Sequence, residues 1–318
     1  MTSERPVHTI PVVYGVDNRF AAPLAASIES AIAHLGSGHR LAIYVVDGGL
    51  TERNRGRLAR SFEGRCTLSW LRPNVSALAS LKVGGAITVA TYYRLLIPGL
   101  LPEHAKAIYL DADVIVEHDL AELWEMALQD RHVLAAQDQG VRLVSGPYGL
   151  SNYRELGIPT DAKYFNAGVL VLNLTRWRRD ATADDILEYV LRHPEHIRFH
   201  DQDGLNAILW NRWGEIDPRW NQMPQILQVQ RAEDSPFDAG TFAQVTTDPY
   251  IIHFASSEKP WRYGCRHPAT AKYFQYLDRT EFRGRRPSRL ATGLQDALTL
   301  YRGRFARLRR VLWRRRTA

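Results

Sequence analysis

Residues 7–49 read VHTIPVVYGVDNRFAAPLAASIESAIAHLGSGHRLAIYVVDGG. Val7 to Gly15 is an apolar run of strand length that stops at a Gly-Val-Asp-Asn turn. Ala21 to Leu35 then carries Ala, Leu and Ile at helical spacing and ends at Gly36-Ser37-Gly38. Leu41 to Asp47 is a second apolar strand, closed by Gly48-Gly49. A charged helix over Thr51 to Phe62 and a strand over Cys66 to Leu71 continue the series. Strand, helix, strand, helix, strand at this pitch predicts an α/β domain, with a parallel sheet between layers of helices. Such sheets bind ligands at the carboxyl ends of their strands, where the loop Gly15 to Phe20 would lie.

The middle of the chain keeps the pattern. Ala107 to Leu110 reads as a strand ending in Asp111-Ala112-Asp113, and Val114 to Val116 is expected to continue it. Phe165 to Leu174 reads as a strand, Asp201 to Trp210 as a helix and Tyr250 to Phe254 as a strand. The 318 residues suffice for one large α/β domain and an appendage, and 45% hydrophobic content is that of a globular chain. No apolar run approaches the roughly 18 residues of a spanning helix. Met1 to His8 is polar and leads straight into Ile10 to Tyr14, so no export signal is expected. Cys66 and Cys265, the two cysteines, are then expected to be reduced thiols, too few for a zinc site of their own.

Charge is unevenly spread. Residues 283–318 hold twelve arginines and one acid, Asp296, so they carry +11 of the net +7 and leave −4 on the body. Leu294, Leu298, Tyr301, Phe305, Leu308 and Leu312 are spaced by four and three, an apolar stripe on a helix set among arginines. Residues 1–282 are therefore expected to form the main domain and 283–318 a basic amphipathic tail. The tail suits an anionic membrane interface, and a helix packed on the body or in a dimer would account for the same stripe. Nucleic acid is not expected as a partner, since no groove-reading module is present.

Several polar residues carry chemistry. Asp111 and Asp113 follow an apolar strand, and one intervening residue lets both carboxylates reach a single hard cation. Such an ion would act as a Lewis acid on a leaving diphosphate. The same three residues would also serve as a solvated turn, or as the opening motif of a haloacid-dehalogenase-type phosphatase with Asp111 as nucleophile. His253 ends an apolar strand and is a candidate third ligand or a core histidine. Lys259, in Lys259-Pro260-Trp261, offers a cation to a phosphate or to solvent. Asp201, Gln202 and Asp203 open a helix, where acids complement the dipole or could grip hydroxyls. Asn166, ahead of Gly168, starts a buried strand and needs partners, and Arg94 sits among apolar neighbours and needs an anion.

Taken in order, six blocks resemble the family-eight retaining glycosyltransferases, the group of bacterial lipopolysaccharide galactosyl- and glucosyltransferases. They are Val13 to Asn18, Ala90 to Pro98 (ATYYRLLIP), Ala107 to Val116 (AIYLDADVIV), Tyr164 to Leu174 (YFNAGVLVLNL), Asp201 to Asn206 (DQDGLN) and His253 to Trp261 (HFASSEKPW). The resemblance implies a GT-A fold, a Rossmann-like, mostly parallel mixed sheet flanked by helices. It implies a UDP-hexose donor, glucose or galactose, and a glycan or lipid-linked saccharide acceptor. It implies Mn²⁺, with Mg²⁺ as the alternative, on Asp111, Asp113 and His253. Asp17 would hold the uracil, Lys259 the diphosphate, and Arg94, Asn166, Asp201 and Gln202 would line the sugar, with Gly15, Ala112, Ala167 and Ser256 also on the donor. Asp138 matches a sugar-side or acceptor-side acid, and Gln202 and Asp203 are the candidates for a covalent route beside front-face attack. With the tail, the resemblance implies a cytoplasmic enzyme peripheral on the inner face of the membrane. A non-catalytic sugar-nucleotide-binding protein on the same scaffold is the remaining alternative. The chain departs from the family at Asp17-Asn18-Arg19-Phe20, where Asp-Asp-Asn-Tyr is usual, and at Ser256, where Gly is usual.

Overall fold

The computed structural model describes residues 8–78, 81, 89–290, 292–293 and 297. Strand β1 (His8–Val16) leads through helix α1 (Ala21–Ala33) to β2 (His39–Asp47), and α2 (Glu52–Phe62) leads to β3 (Thr67–Leu71). A 3-10 segment, Val89–Leu96, and α3 (Ile97–Leu100) precede β4 (Lys106–Leu110), β5 (Val114–Val116), α4 (Leu120–Glu125), β6 (Val133–Gln137) and β7 (Phe165–Asn173). Then come α5 (Leu174–Arg179), α6 (Thr182–Arg192), α7 (Asp201–Leu209), β8 (Trp213–Glu215), α8 (Ala239–Thr247), β9 (Ile251–His253) and α9 (Thr270–Leu277).

Among the described residues a seven-stranded sheet runs in the order β3-β2-β1-β4-β7-β6-β8, beside a two-stranded sheet of β5 and β9. The β3-β2-β1-β4 portion is parallel, as the opening residues predict. Strand β7 instead runs antiparallel to both β4 and β6, so the sheet is mixed. Residues 165–172 are all buried. A strand covered on both faces reads as an unbroken apolar run, which carries no sign of its direction.

Side chains alternate across the sheet and build two cores. Ile10, Val12 and Tyr14 of β1 join Ile108 and Leu110 of β4 and Val169 and Val171 of β7 on one face. Val13, Ala107, Tyr109, Leu170 and Leu172 pack on the other. Helix α1 is alanine-rich and buried from Ala21 to Ala31, because it lies under the sheet with β5 and α9 against it. Its Ser30 hydroxyl accepts from the Val116 amide at 2.9 Å, which fixes β5 in place. Helix α2 is mostly solvated: Thr51 caps it, and only Leu58 and Phe62 are buried.

Val114 to Val116 does not continue β4. The chain turns at Asp111-Ala112-Asp113, and β5 pairs antiparallel with β9, Val114 opposite His253. Helices α6 and α7 pack closely because a Cβ on Gly204 would lie 2.7 Å from Val190. Asn206 of α7 then bonds both the amide and the carbonyl of Phe165, at 2.8 and 2.9 Å, and so sets α7 against the start of β7. The segment 141–161, whose Gly, Pro and Ser content suggests a mobile lid or binding loop, is tied down by its own backbone bonds, including Leu150 to Val144 at 2.8 Å and Val144 to Ala162 at 2.9 Å.

Cys66 and Cys265 are free thiols. No helix of the described residues is long and apolar enough to cross a membrane. The expected amphipathic helix of the tail, from Leu294 to Arg316, lies outside the described residues except for Ala297. Ahead of it, Arg286 is held to the body: it pairs with Asp278 at 2.5 Å and covers the Phe274 ring at 4.3 Å. Phe282 is fully buried beneath Arg57, whose guanidinium lies 4.1 Å from the ring centre. Phe282→Ala is expected to lower the free energy of unfolding by about 3–5 kcal/mol, read from the urea midpoint at unchanged slope.

Candidate active site

The turn between β4 and β5 creates the centre of the site. The Asp111 amide donates to the Gly168 carbonyl at 2.8 Å, one step beyond the β4–β7 ladder. The chain then leaves the main sheet, and Phe254 donates to the Asp113 carbonyl at 2.9 Å as β9 comes alongside. The two carboxylates and the His253 imidazole thus converge, with one ligand atom from each within 4.8 Å of the others. His253 Nε2 is 3.4 Å from Asp113 Oδ1 and 3.7 Å from Asp111 Oδ2.

The imidazole is aimed by a chain of amides. His253 Nδ1 donates to Asn221 Oδ1 at 2.8 Å, which leaves Nε2 with its lone pair toward the carboxylates. Asn221 Nδ2 donates to Asn166 Oδ1 at 2.9 Å, and the Gly168 amide donates to the same oxygen at 2.9 Å. Gly168 has no alternative here, because a Cβ would lie 2.2 Å from His253 Cε1. Two oxygens and one nitrogen on a turn and a strand end suit a small divalent ion that keeps open positions for a substrate. The residues present therefore fit the metal that the resemblance implies. Lys259 supplies a positive charge at the same place, with Nζ 2.5 Å from Asp113 Oδ2. Burial would raise the Asp113 carboxyl, but the adjoining Lys259 ammonium holds it well below the usual range.

A second polar group forms the floor. Asp138 is buried, and its Oδ1 accepts from the Gly140 and Val141 amides at 2.9 and 2.8 Å. Its Oδ2 accepts from Asn166 at 3.0 Å and from Gln202 Nε2 at 3.1 Å. Gln202 Oε1 in turn accepts from Asn166 Nδ2 at 3.1 Å and from the Ala167 amide at 3.0 Å. Arg94, 5% exposed, joins this floor to the aspartate pair. It donates to Asp111 Oδ1 at 3.1 Å, to the Thr91 carbonyl at 3.2 Å and to the Ala167 carbonyl. Asp201 Oδ2 lies 2.8 Å from Arg94 Nε, near enough for an ion pair but out of line for a hydrogen bond. Tyr109 donates to the same Asp111 oxygen at 2.6 Å.

These groups line one open cavity of about 850 Å³ at the carboxyl ends of β1 and β4. Gly15, Asp17, Arg94, Asp111, Ala112, Asp113, Asp138, Asn166, Ala167, Asp201, Gln202, His253, Ser256 and Lys259 all border it. Asp203 does not. Its carboxylate accepts from Tyr164 at 2.7 Å and from the Arg198 and Phe199 amides at 2.6 and 2.5 Å, so it holds the start of α7. Asp17 caps the turn after β1 and pairs with Arg19 at 2.8 Å, and Ser256 is drawn toward Glu258. Sequence reasoning missed Asn221, Tyr109, Tyr148, Phe199, His200 and Trp261 as site residues. Of these, His200 carried no signal at all, yet it adopts a φ of 55° at the cap of α7.

Residues 11–265 match the family described as Glycosyl transferase family 8. The chain belongs to this family. As a glycosyltransferase it takes a nucleotide-sugar donor and a saccharide acceptor, and the phosphatase reading of Asp111 is set aside. The family member is 27% identical over 276 residues to General stress protein A of Bacillus subtilis (strain 168), covering 85% of this chain and 94% of that one. It is 24% identical over 275 residues to the lipopolysaccharide 1,3-galactosyltransferase of Salmonella typhimurium, covering 83% and 76%. The solved galactosyltransferase LgtC, in complex with donor and acceptor sugar analogs, superposes with a TM-score of 0.75 at 25% identity over 85% of this chain and 96% of that one. The mixed sheet flanked by helices is the GT-A fold.

Burial pushes the Asp201 carboxyl up to about 7 despite Arg94, with Asp111 adding to the rise. The unfolded value is about 3.9. A raised acid binds its proton more tightly in the fold, so its stabilisation is complete below about pH 4 and is lost as pH climbs toward about 7. Asp201→Asn is expected to flatten that fall. Urea denaturation of both proteins across the window checks it, and parallel pH profiles would contradict the assignment.

Proposed function

We propose that this glycosyltransferase is a retaining hexosyltransferase that moves glucose or galactose from a UDP-sugar to a glycan or lipid-linked saccharide. The observation that carries this reading is the meeting of Asp111, Asp113 and His253 at a cavity large enough for a nucleotide sugar. The similarity to a lipopolysaccharide galactosyltransferase supports the hexose and the saccharide acceptor. Mn²⁺, or Mg²⁺ in its place, would be held by those three residues and would supply Lewis-acid neutralisation of the leaving diphosphate.

The chain's own groups do the rest. Lys259, resting on Asp113, is the cation nearest to hand for a diphosphate oxygen. Gly15 and Asp17 border the cavity at the end of β1, on the base side. Arg94 keeps Asp111 and Asp201 in place, and Asp138, Asn166, Ala167 and Gln202 form a hydrogen-bonded wall for sugar hydroxyls. The Gln202 amide oxygen already accepts two hydrogen bonds, which favours a positioning role over attack. With Asp203 turned away, the geometry favours front-face substitution. The acceptor oxygen bonds to the anomeric carbon on the side from which the diphosphate departs, and its proton passes to the leaving phosphate.

Residues 283–318 are read as a membrane-docking tail on the 1–282 domain, which makes the enzyme peripheral on an anionic surface. A described patch at its root supports this. Burial first, then Arg285 and Arg53, lowers the Arg57 guanidinium from its ordinary value, with Glu281 opposing, so arginines of α2 and of the tail's root lie together.

A screen of UDP-sugars tests the reaction. Hydrolysis or transfer is expected with Mn²⁺ and one UDP-hexose, and Asp113→Ala should lose it by at least about a hundredfold while keeping the wild-type circular dichroism. Turnover of phosphomonoesters alone would overturn the reading. Truncation after Phe282 should leave donor hydrolysis in place and abolish cosedimentation with anionic vesicles, and unchanged cosedimentation would refute the docking role.

A further inference from the structure

Outside the cavity, the turn that closes α6 gathers a second set of metal-binding side chains. His193, Glu195 and His196 each offer a ligand atom within 4.8 Å of the others. Glu195 Oε1 lies 3.5 Å from His196 Nε2 and 4.0 Å from His193 Nδ1. The backbone turns tightly here: the His193 amide closes on Tyr189 at 3.0 Å and the His196 amide on His193 at 2.9 Å, which brings the two histidines together. Their centroids are 6.1 Å apart.

Both imidazoles are braced from behind. His196 Nδ1 shares a 2.8 Å hydrogen bond with the Ser151 hydroxyl, which leaves its Nε2 toward Glu195. This is the arrangement by which an outer hydrogen bond fixes the tautomer of a metal-binding histidine. The His193 ring rests on Tyr189 at 5.0 Å, and the Tyr189 hydroxyl is held by Asn152 at 2.9 Å. Among the described residues no lysine or arginine pairs with Glu195, and its ion-pair neighbours are the two imidazoles. The three side chains are 38%, 60% and 24% exposed, so an ion has access from solvent.

We propose that His193, Glu195 and His196 form a second divalent-cation site, separate from the aspartate pair, that takes a transition metal of the Zn²⁺ class. Two imidazoles and one carboxylate favour Zn²⁺, Co²⁺ or Ni²⁺ over Mg²⁺ and Ca²⁺. Tetrahedral bonds of about 2.0–2.1 Å place ligand atoms about 3.3 Å apart, so the observed gaps close with small side-chain rotations. The bound ion would tie the end of α6, through Ser151 and Asn152, to the 141–161 segment. That segment and the connection ahead of α7 both reach the cavity, at Tyr148 and at Phe199.

Isothermal titration of the full chain with Zn²⁺, without nucleotide, tests this in an Asp113→Ala background that disables the first site. One equivalent of Zn²⁺ should still bind and should raise the melting temperature. Adding His196→Ala should weaken that equivalent at least tenfold, and Glu195→Gln, an exposed change that leaves packing untouched, should weaken it too. Equal Zn²⁺ stoichiometry and affinity with and without these substitutions would overturn the proposal. So would the absence of any bound equivalent in the Asp113→Ala background.

Discussion

The short antiparallel pairing of β5 with β9 governs the site. It is three residues long, and it sets His253 opposite Val114 and therefore beside Asp113. Everything that follows depends on the chain leaving the main sheet at Ala112 rather than running on. Had β4 continued straight between β1 and β7, no strand from the end of the domain could lie alongside it. Ser30, reaching from α1 to the Val116 amide, holds the departed strand where β9 can meet it.

Bringing four carboxylates together beneath a cavity is costly unless positive charge accompanies them. Arg94 and Lys259 provide it from opposite sides, one shared between Asp111 and Asp201 and the other on Asp113. Among the described residues no cation pairs with Asp138, which relies on four hydrogen bonds. The polar floor is thus held in place by the chain's own ion pairs and hydrogen bonds. Such preorganisation is the main contribution a transferase scaffold makes to moving charge onto a leaving diphosphate.

The parallel half of the sheet and the cluster of site residues could be read from the chain alone, because apolar runs broken by Gly-rich turns mark strand ends where ligands collect. What escaped did so for physical reasons. A fully buried strand such as β7 has no alternation to betray its direction. Val114 to Val116 looked like more of β4 because a turn of three residues interrupts no pattern. Asn221 sits in a short 3-10 turn, and its importance lies in bonds to His253 and Asn166, partners far away in sequence. Asp203 lies off the cavity lining, and a clue existed: consecutive helical residues point about 100° apart, so Asp201, Gln202 and Asp203 do not share one face.

Anomalous diffraction at the manganese edge, from crystals grown with Mn²⁺ and UDP, tests the central claim most directly. The account predicts a peak bonded at once to carboxylate oxygens of Asp111 and Asp113 and to Nε2 of His253, with Asn221 still on Nδ1. A cavity that binds UDP with no manganese among those three side chains, or with the side chains turned apart, would contradict it.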